Sequence, residues 1–281
     1  MIDVRFFGVR GSIPSPGPDT VEFGGNTSCV EVRSKTTRLA LDAGTGLRGF
    51  GNAMLAEGAR EATVLLSHVH WDHIQGLPFF GPIYVPGARI RVVAGQNGVP
   101  LEDTLRRQMS APVFPVDLRA LPAELSFGEV RDREVLQIGD LTVTAARLNH
   151  PDAVYAYRVE HEGASVVYAT DTEHYSCVDG RLRALAAGAD VLIYDAQYLP
   201  EEYAGERGPS RIGWGHSTYE AGVALAKAAG VRKLVLFHHD PARTDAGVRE
   251  LEARAQALFP STLAAREGLV LTASREASEA A

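Results

Sequence analysis

Short alternating apolar runs make up the first third of the chain and helical periods appear between them. Ile2 to Phe7 alternates loosely and predicts an opening strand, and the Gly/Pro/Ser stretch Gly8 to Pro18 after it cannot hold regular structure. Cys29 to Arg33 and Arg38 to Leu41, joined by the polar turn Ser34-Lys35-Thr36-Thr37, predict a hairpin. Asp42-Ala43-Gly44-Thr45-Gly46 closes its second strand and Leu47 to Glu57 opens a helix, which leaves Asp42 at a strand end facing a helix N-terminus. The apolar run Thr63-Val64-Leu65-Leu66 stops abruptly at Ser67-His68-Val69-His70-Trp71-Asp72-His73-Ile74-Gln75-Gly76. Beyond it a Pro- and Gly-punctuated stretch, Phe79 to Gly87, leads to a strand Arg89 to Ala94 and a helical segment near Leu101 to Met109. Ser110 to Val116 has no periodicity and receives no role.

From Glu134 the pattern turns to short strands: Glu134 to Ile138, Leu141 to Leu148, Val154 to Glu160 and Ser165 to Ala169, with turns at Gly139-Asp140 and Glu162-Gly163. These predict a second sheet. Asp190 to Tyr194 and Val231 to Phe237 read as buried strands, with an Ala-rich helix between them that ends at Ala229 and is closed by Gly230. Ser217 with Glu220 spells a capping box, so that helix is expected to start just after His216. A helix Asp245 to Leu258 and a strand Leu269 to Thr272 follow. No repeat or linker interrupts the series, so residues 1–273 read as a single domain, and the polar stretch 274–281 reads as a disordered tail.

With 281 residues, 45% hydrophobic and 22% charged, the chain can bury a full-sized core. Cys29 and Cys177 lie far apart without a C-x-x-C spacing, which argues against a disulfide framework or a cysteine zinc site and fits a reducing cytoplasm. The start Met1-Ile2-Asp3-Val4-Arg5 carries no basic and apolar leader pattern, and no apolar run is long enough for a bilayer. A cytoplasmic protein without a membrane partner is therefore expected. The net charge of −7 disfavours long nucleic acid, which is held mainly by Lys and Arg. A homodimer is compatible with the sequence.

The chemistry concentrates in the loop after Leu66. His68, His70, Asp72 and His73 put four metal-competent side chains within six positions on a turn leaving a strand, where the first two can share one ion and the last two face a second. A solvated loop is the bland alternative, but three imidazoles and a carboxylate at this density are uncommon without a metal. The pattern resembles the H-x-H-x-D-H signature of the metallo-β-lactamase superfamily. The resemblance implies an αββα sandwich of two mixed β-sheets flanked by helices, with a dinuclear metal site at the sheet rim. It also implies three ligands further on: His150 in Asn149-His150-Pro151 for the first ion, Asp171 in Thr170-Asp171-Thr172 as the bridge, and His238 of the pair His238-His239 for the second ion. Asp42, in the local run Leu-Asp-Ala-Gly-Thr-Gly, corresponds to an acid that supports the ligands from behind.

His216-Ser217-Thr218 before an Ala-rich helix resembles ribonuclease Z in particular, and Asp72-His73-Ile74-Gln75-Gly76-Leu77 resembles both that enzyme and the small bacterial cyclic phosphodiesterases. In that branch a strand-end acid and this histidine form a proton-donating pair. The acid is Glu there and Asp195 here. The resemblance thus implies a phosphodiesterase in which a metal-bridging hydroxide attacks phosphorus while His216, oriented by Asp195, protonates the departing oxygen; Asp72, His216 and Asp195 are its catalytic residues. Two divalent ions are expected, zinc by preference, with manganese or iron also suited to such donors. Small or cyclic nucleotides, or short nucleic-acid ends, are the expected substrates. The basic arm with which ribonuclease Z holds transfer RNA is not visible, so tRNA 3′ processing is a lesser alternative, beside hydrolysis of a carboxylic ester, thioester or lactone. A metal-binding protein without turnover and a redox diiron role fit least, the latter because the related oxygen reductases carry Glu where His70 stands.

Overall fold

Apolar strands that lack clean alternation need cover on both faces, and this chain provides it in four layers. The computed structural model describes residues 1–274, so the tail expected from residue 274 on lies, apart from Ser274, outside the described residues. One sheet holds β1 (Ile2–Gly8), β2 (Cys29–Arg33), β3 (Arg38–Leu41), β4 (Glu61–Leu66), β5 (Arg89–Gly95), β6 (Glu124–Val130) and, beside β1, β14 (Val270–Ala273). The other holds β7 (Val135–Ile138), β8 (Leu141–Arg147), β9 (Tyr155–His161), β10 (Ala164–Ala169), β11 (Val191–Asp195), β12 (Lys233–Phe237) and β13 (Thr262–Ala264). Both are mixed. Strands β3 to β6 run parallel, as do β10 to β13, with antiparallel pairs on the far side of each sheet.

The sheets meet through Val4, Phe6, Leu41, Tyr157, Val166 and Phe237, all buried. Outside the first sheet, α1 (Leu47–Ala56) packs Leu47, Phe50 and Met54 toward Val64 and Leu66, and beyond the single turn α2 (Trp71–Ile74), α3 (Leu101–Gln108) adds Leu105. Outside the second lie α4 (Gly180–Leu185), the turn α5 (Pro200–Tyr203), α6 (Tyr219–Ala229) and α7 (Asp245–Leu258); Leu182, Val223 and Leu251 join Leu192, Leu234 and Leu236 in one apolar cluster there. This is the αββα sandwich that the resemblance implied.

Four features depart from the sequence reading. Strands β6 and β13 were not foreseen, the first because its flanks resemble loop, the second because it has only three residues. Helix α4, capped by Asp179, was likewise unread. The capping box is displaced: Thr218, not Ser217, accepts from Ala221 N–H and opens α6, since the Ser217 hydroxyl is taken by Tyr194 Oη at 2.8 Å and His174 Nδ1 at 2.9 Å.

Parallel strands deliver their carboxyl ends to one rim, and side chains placed there converge. Asp42 leaves β3, Ser67 leaves β4, Asp171 leaves β10 and His238 leaves β12, while Asp195 ends β11. Asp42, Asp171 and His238 turn off their strands with φ of 64°, 51° and 60°, a left-handed conformation that is costly for any residue with a Cβ. The rim therefore stores strain at three positions with candidate chemistry.

Candidate metal centre

The His-rich loop folds because its hydrogen bonds have a single buried anchor. Asp42, fully buried, accepts from Ser67 N–H at 2.6 Å, Ser67 Oγ–H at 2.9 Å and Tyr168 Oη–H at 2.6 Å, and meets His73 Nδ1 at 2.8 Å. Ser67 Oγ also meets His68 Nδ1 at 3.0 Å. With these Nδ1 atoms engaged, His68 and His73 are left with Nε2 as the free donor. His238 is fixed in the same way by Gln197 Oε1, 2.9 Å from its Nδ1. Asp152 does it for the outer pair: its carboxylate lies 2.8 Å from His70 Nε2, and its N–H donates to His150 Nδ1 at 3.1 Å.

The free donors fall into overlapping groups whose ligand atoms lie within 4.8 Å of one another: His68, His70 and His150; Asp72, His73 and His238; and His68, His73 and Asp171. Asp171 Oδ2 is 3.6 Å from His68 Nε2, and its Oδ1 is 3.4 Å from His73 Nε2 and 3.3 Å from His238 Nε2. Asp171 thus stands between the two histidine sets. His239 points elsewhere, with Nε2 2.8 Å from the Ala265 carbonyl and its ring edge-on to Phe23. Burial pushes its imidazole down to about 3.

Electrostatics and satisfaction both call for a cation here. The buried Nε2 atoms of His68 and His73 lack any hydrogen-bond partner, which is costly unless the lone pair meets a positive charge. Burial opposes charge on His73, yet Asp72, Asp171 and Asp42 outweigh it and raise its pKa well above the usual value. For Asp171 burial favours the neutral acid, but His238, His73 and His68 overcome it and hold the carboxyl well below the carboxylate range. His68 is shifted down by burial and then by His73, so it is neutral and able to ligate. A His-rich set with ionised carboxylates and orphaned imidazole nitrogens fits a divalent metal.

A fourth grouping, Asp171, Asp195, His216 and His238, would make His216 a ligand. The partners of Asp195 argue otherwise. Its Oδ1 accepts from Gln197 N–H at 3.1 Å, and its Oδ2 accepts from Thr172 N–H at 3.2 Å and lies 2.9 Å from His216 Nδ1. Both oxygens are committed. Glutamate-length reach is unnecessary, since the shorter Asp195 touches the ring directly. Burial disfavours a charged His216, but Asp195 first, then Asp171 and Asp72, lift its pKa to about 9. The ring stacks on His238 at 5.0 Å and stands 6.2 Å from His150, so it faces both histidine sets.

Several supports had no sequence signal that was read. Glu173, two residues after Asp171 and fully buried, accepts from Gly213 N–H, Gly215 N–H and Tyr203 Oη–H, which clamps the loop carrying His216. The early Gly/Pro loop covers the cluster: Ser12 N–H donates to Asp72 Oδ2 at 2.7 Å, and a Cβ at Gly11 would lie 2.4 Å from the His238 ring. Arg10, buried beneath it, donates to the Gly24 and Arg243 carbonyls.

A sandwich with a metal-ready cluster at the carboxyl rim is the architecture of the metallo-β-lactamase fold. The chain matches the family described as Beta-lactamase superfamily domain over residues 37–239, and it belongs to the metallo-β-lactamase superfamily. Ribonuclease Z of Mycobacterium avium is 29% identical over 278 aligned positions, covering 86% of this chain and 87% of its own length. The metallo-β-lactamase fold protein YhfI from Bacillus subtilis superposes with a TM-score of 0.73 at 20% identity, over 96% of this chain and 98% of that one. A diphosphatase from the PhnP family gives 0.70 at 20% identity, over 97% and 98%. The chain is a metal-dependent hydrolase. Among the described residues no helix is long and apolar enough to cross a membrane.

Proposed function

We propose that this enzyme hydrolyses phosphodiester bonds in small or cyclic nucleotides or at short nucleic-acid ends. His68, His70 and His150 would hold one divalent ion, Asp72, His73 and His238 a second, with Asp171 between them; the donors favour zinc and also suit manganese or iron. Bound ions would supply an activated water and take up charge on the phosphoryl oxygens. The protein's own part is to orient and to move a proton. Asp195 fixes His216 through Nδ1 and leaves Nε2 as the ring position able to hand a proton to the leaving oxygen. Asp72, held by Ser12 N–H, fixes the loop over the cluster.

The His216–Asp195 pair favours this reading over thioester cleavage, where a weakly basic thiolate asks less of a proton donor than a departing alkoxide. The names ribonuclease and diphosphatase among the relatives point the same way. The net charge of −7 favours short substrates over a long polyanion. Metal-quantified protein, assayed against bis-p-nitrophenyl phosphate, cyclic nucleotides, short RNA, a tRNA precursor, a thioester and a lactone, tests the reading. Turnover is expected on the first three. Turnover confined to the thioester or lactone would replace it with ester hydrolysis, and a strong preference for the tRNA precursor would replace it with tRNA 3′ processing.

A further inference from the structure

Beside His216 the wall of the site changes character. The Tyr198 ring meets that of His216 edge-on at 6.0 Å, and the Arg211 guanidinium lies over Tyr198 at 5.7 Å and over Trp214 at 4.4 Å. Tyr198 and Arg211 border a recess of about 250 Å³, whose other two arginines are engaged: Arg207 pairs with Glu201 at 3.4 Å and Arg243 with Glu202 at 2.6 Å. Asp240, on the same wall, accepts Ala242 N–H through Oδ1 at 2.8 Å and keeps its negative charge, which together with that of Glu202 is outnumbered by the arginines of the recess. Arg211 differs. Among the described residues its guanidinium has neither an ion-pair partner nor a hydrogen-bond acceptor, and its contacts are the two rings.

Two aromatic contacts restrain the cation and shed part of its water without satisfying any of its N–H groups. What remains is a forked donor that matches the paired oxygens of a phosphate. The recess falls below the roughly 300 to 1,000 Å³ of pockets that enclose a whole ligand, so it suits one group of a substrate whose reacting part lies elsewhere. Resting on the phosphodiesterase reading, we propose that Arg211 is a specificity residue that grips a second phosphate, and that the preferred substrate carries a phosphate flanking the scissile phosphodiester, as a short oligonucleotide with a terminal phosphate does.

The test compares metal-loaded wild type, Arg211→Gln and Arg211→Lys on a dinucleotide with and without a terminal phosphate. Wild type is expected to prefer the phosphorylated dinucleotide in kcat/KM by about 10- to 100-fold, the usual worth of hydrogen bonds to a charged group. In Arg211→Gln that preference ratio collapses toward one, and Arg211→Lys, which keeps the charge and loses the fork, recovers part of it. Trp214→Leu, which frees the guanidinium, lowers the ratio less. Calorimetric binding of adenosine 3′,5′-bisphosphate against adenosine monophosphate provides a readout without turnover, with the same ratio expected to vanish in Arg211→Gln. A wild type without preference in either assay, or an Arg211→Gln that keeps its preference, overturns the subsite. Failure to cleave any phosphodiester, with the binding preference intact, would instead refute the phosphodiesterase reading and leave the anion subsite standing.

Discussion

The floor of the cluster and its outer rim are built on opposite terms. On the floor His73, His238 and His68 are buried, and the second nitrogen of each is tied to a buried group, Asp42, Gln197 or Ser67. On the rim His70 and His150 share Asp152, and the His70 and Asp152 side chains are 44% and 69% exposed. Water screens and competes with an exposed pair, whereas removing one partner of a buried pair leaves an uncompensated group. The contrast teaches that the set around Asp171 is organised before any ion arrives, while the outer set must hold its geometry against solvent. We expect an ion held by Asp72, His73 and His238, the inner position, to bind more tightly than one held by His68, His70 and His150.

Substitutions test that contrast, beginning with the residue common to both halves. Asp171→Ala is expected to lower bound metal at both positions and to reduce activity by more than about 100-fold, beyond what loss of a mere ligand support costs. Full metal content with full activity in that variant removes Asp171 from the centre. Asp42→Asn, which disturbs the hub beneath the inner set, should weaken metal affinity by about 10- to 100-fold. Asp152→Asn, on the exposed rim, should cost less than about 1 kcal/mol of binding. Equal losses in a chelator competition would erase the distinction.

Smaller effects separate the adjacent histidines. His238→Ala should release the inner ion, while His239→Ala should retain both and lose about 1–3 kcal/mol of stability through the orphaned Ala265 carbonyl, read by thermal unfolding of each metal-quantified variant. Metal loss in His239→Ala alone would exchange their roles. The weakest effect is a pH dependence. Because burial lowers the His239 pKa from 6.5 to about 3, the unfolded chain takes up a proton between those values that the folded chain refuses. Wild-type stability therefore falls as pH drops through that window, and its lead over His239→Gln should narrow. A constant lead would mean that His239 is not held neutral.

The candidate site residues were the more legible part of this molecule. His68 through His73 announce themselves by density, and Asp42, Asp171, Asp195 and His238 follow apolar runs that end abruptly, so strand ends and polar chemistry coincide. The supports were illegible for the converse reason. Tyr168 follows Val166 and Val167 in a wholly buried strand, and only the sheet-to-sheet approach shows that its hydroxyl reaches Asp42. Gln197 and Glu173 stand two residues past a strand-end acid with nothing in their neighbourhood to distinguish them from loop polar residues. The α6 cap was misplaced by one residue because Ser217 and Thr218 both qualify, and only the claims of Tyr194 and His174 on Ser217 decide between them. Strand β13 is held by parallel pairing to β12, a long-range contact that three residues of sequence cannot encode.

Leaving-group dependence reports whether His216 donates a proton to a departing oxygen while remaining outside the metal shell. With His216→Ala and wild type both loaded to equal metal content, cleavage of a phosphodiester with an alkoxide leaving group should slow by about 10² to 10⁴-fold, and cleavage of the nitrophenyl ester far less, because nitrophenolate departs without protonation. Asp195→Asn should follow the same pattern more weakly, since it only orients the ring. Equal slowing on both substrates, or loss of metal from His216→Ala, would make His216 a ligand or a structural residue and not a proton donor.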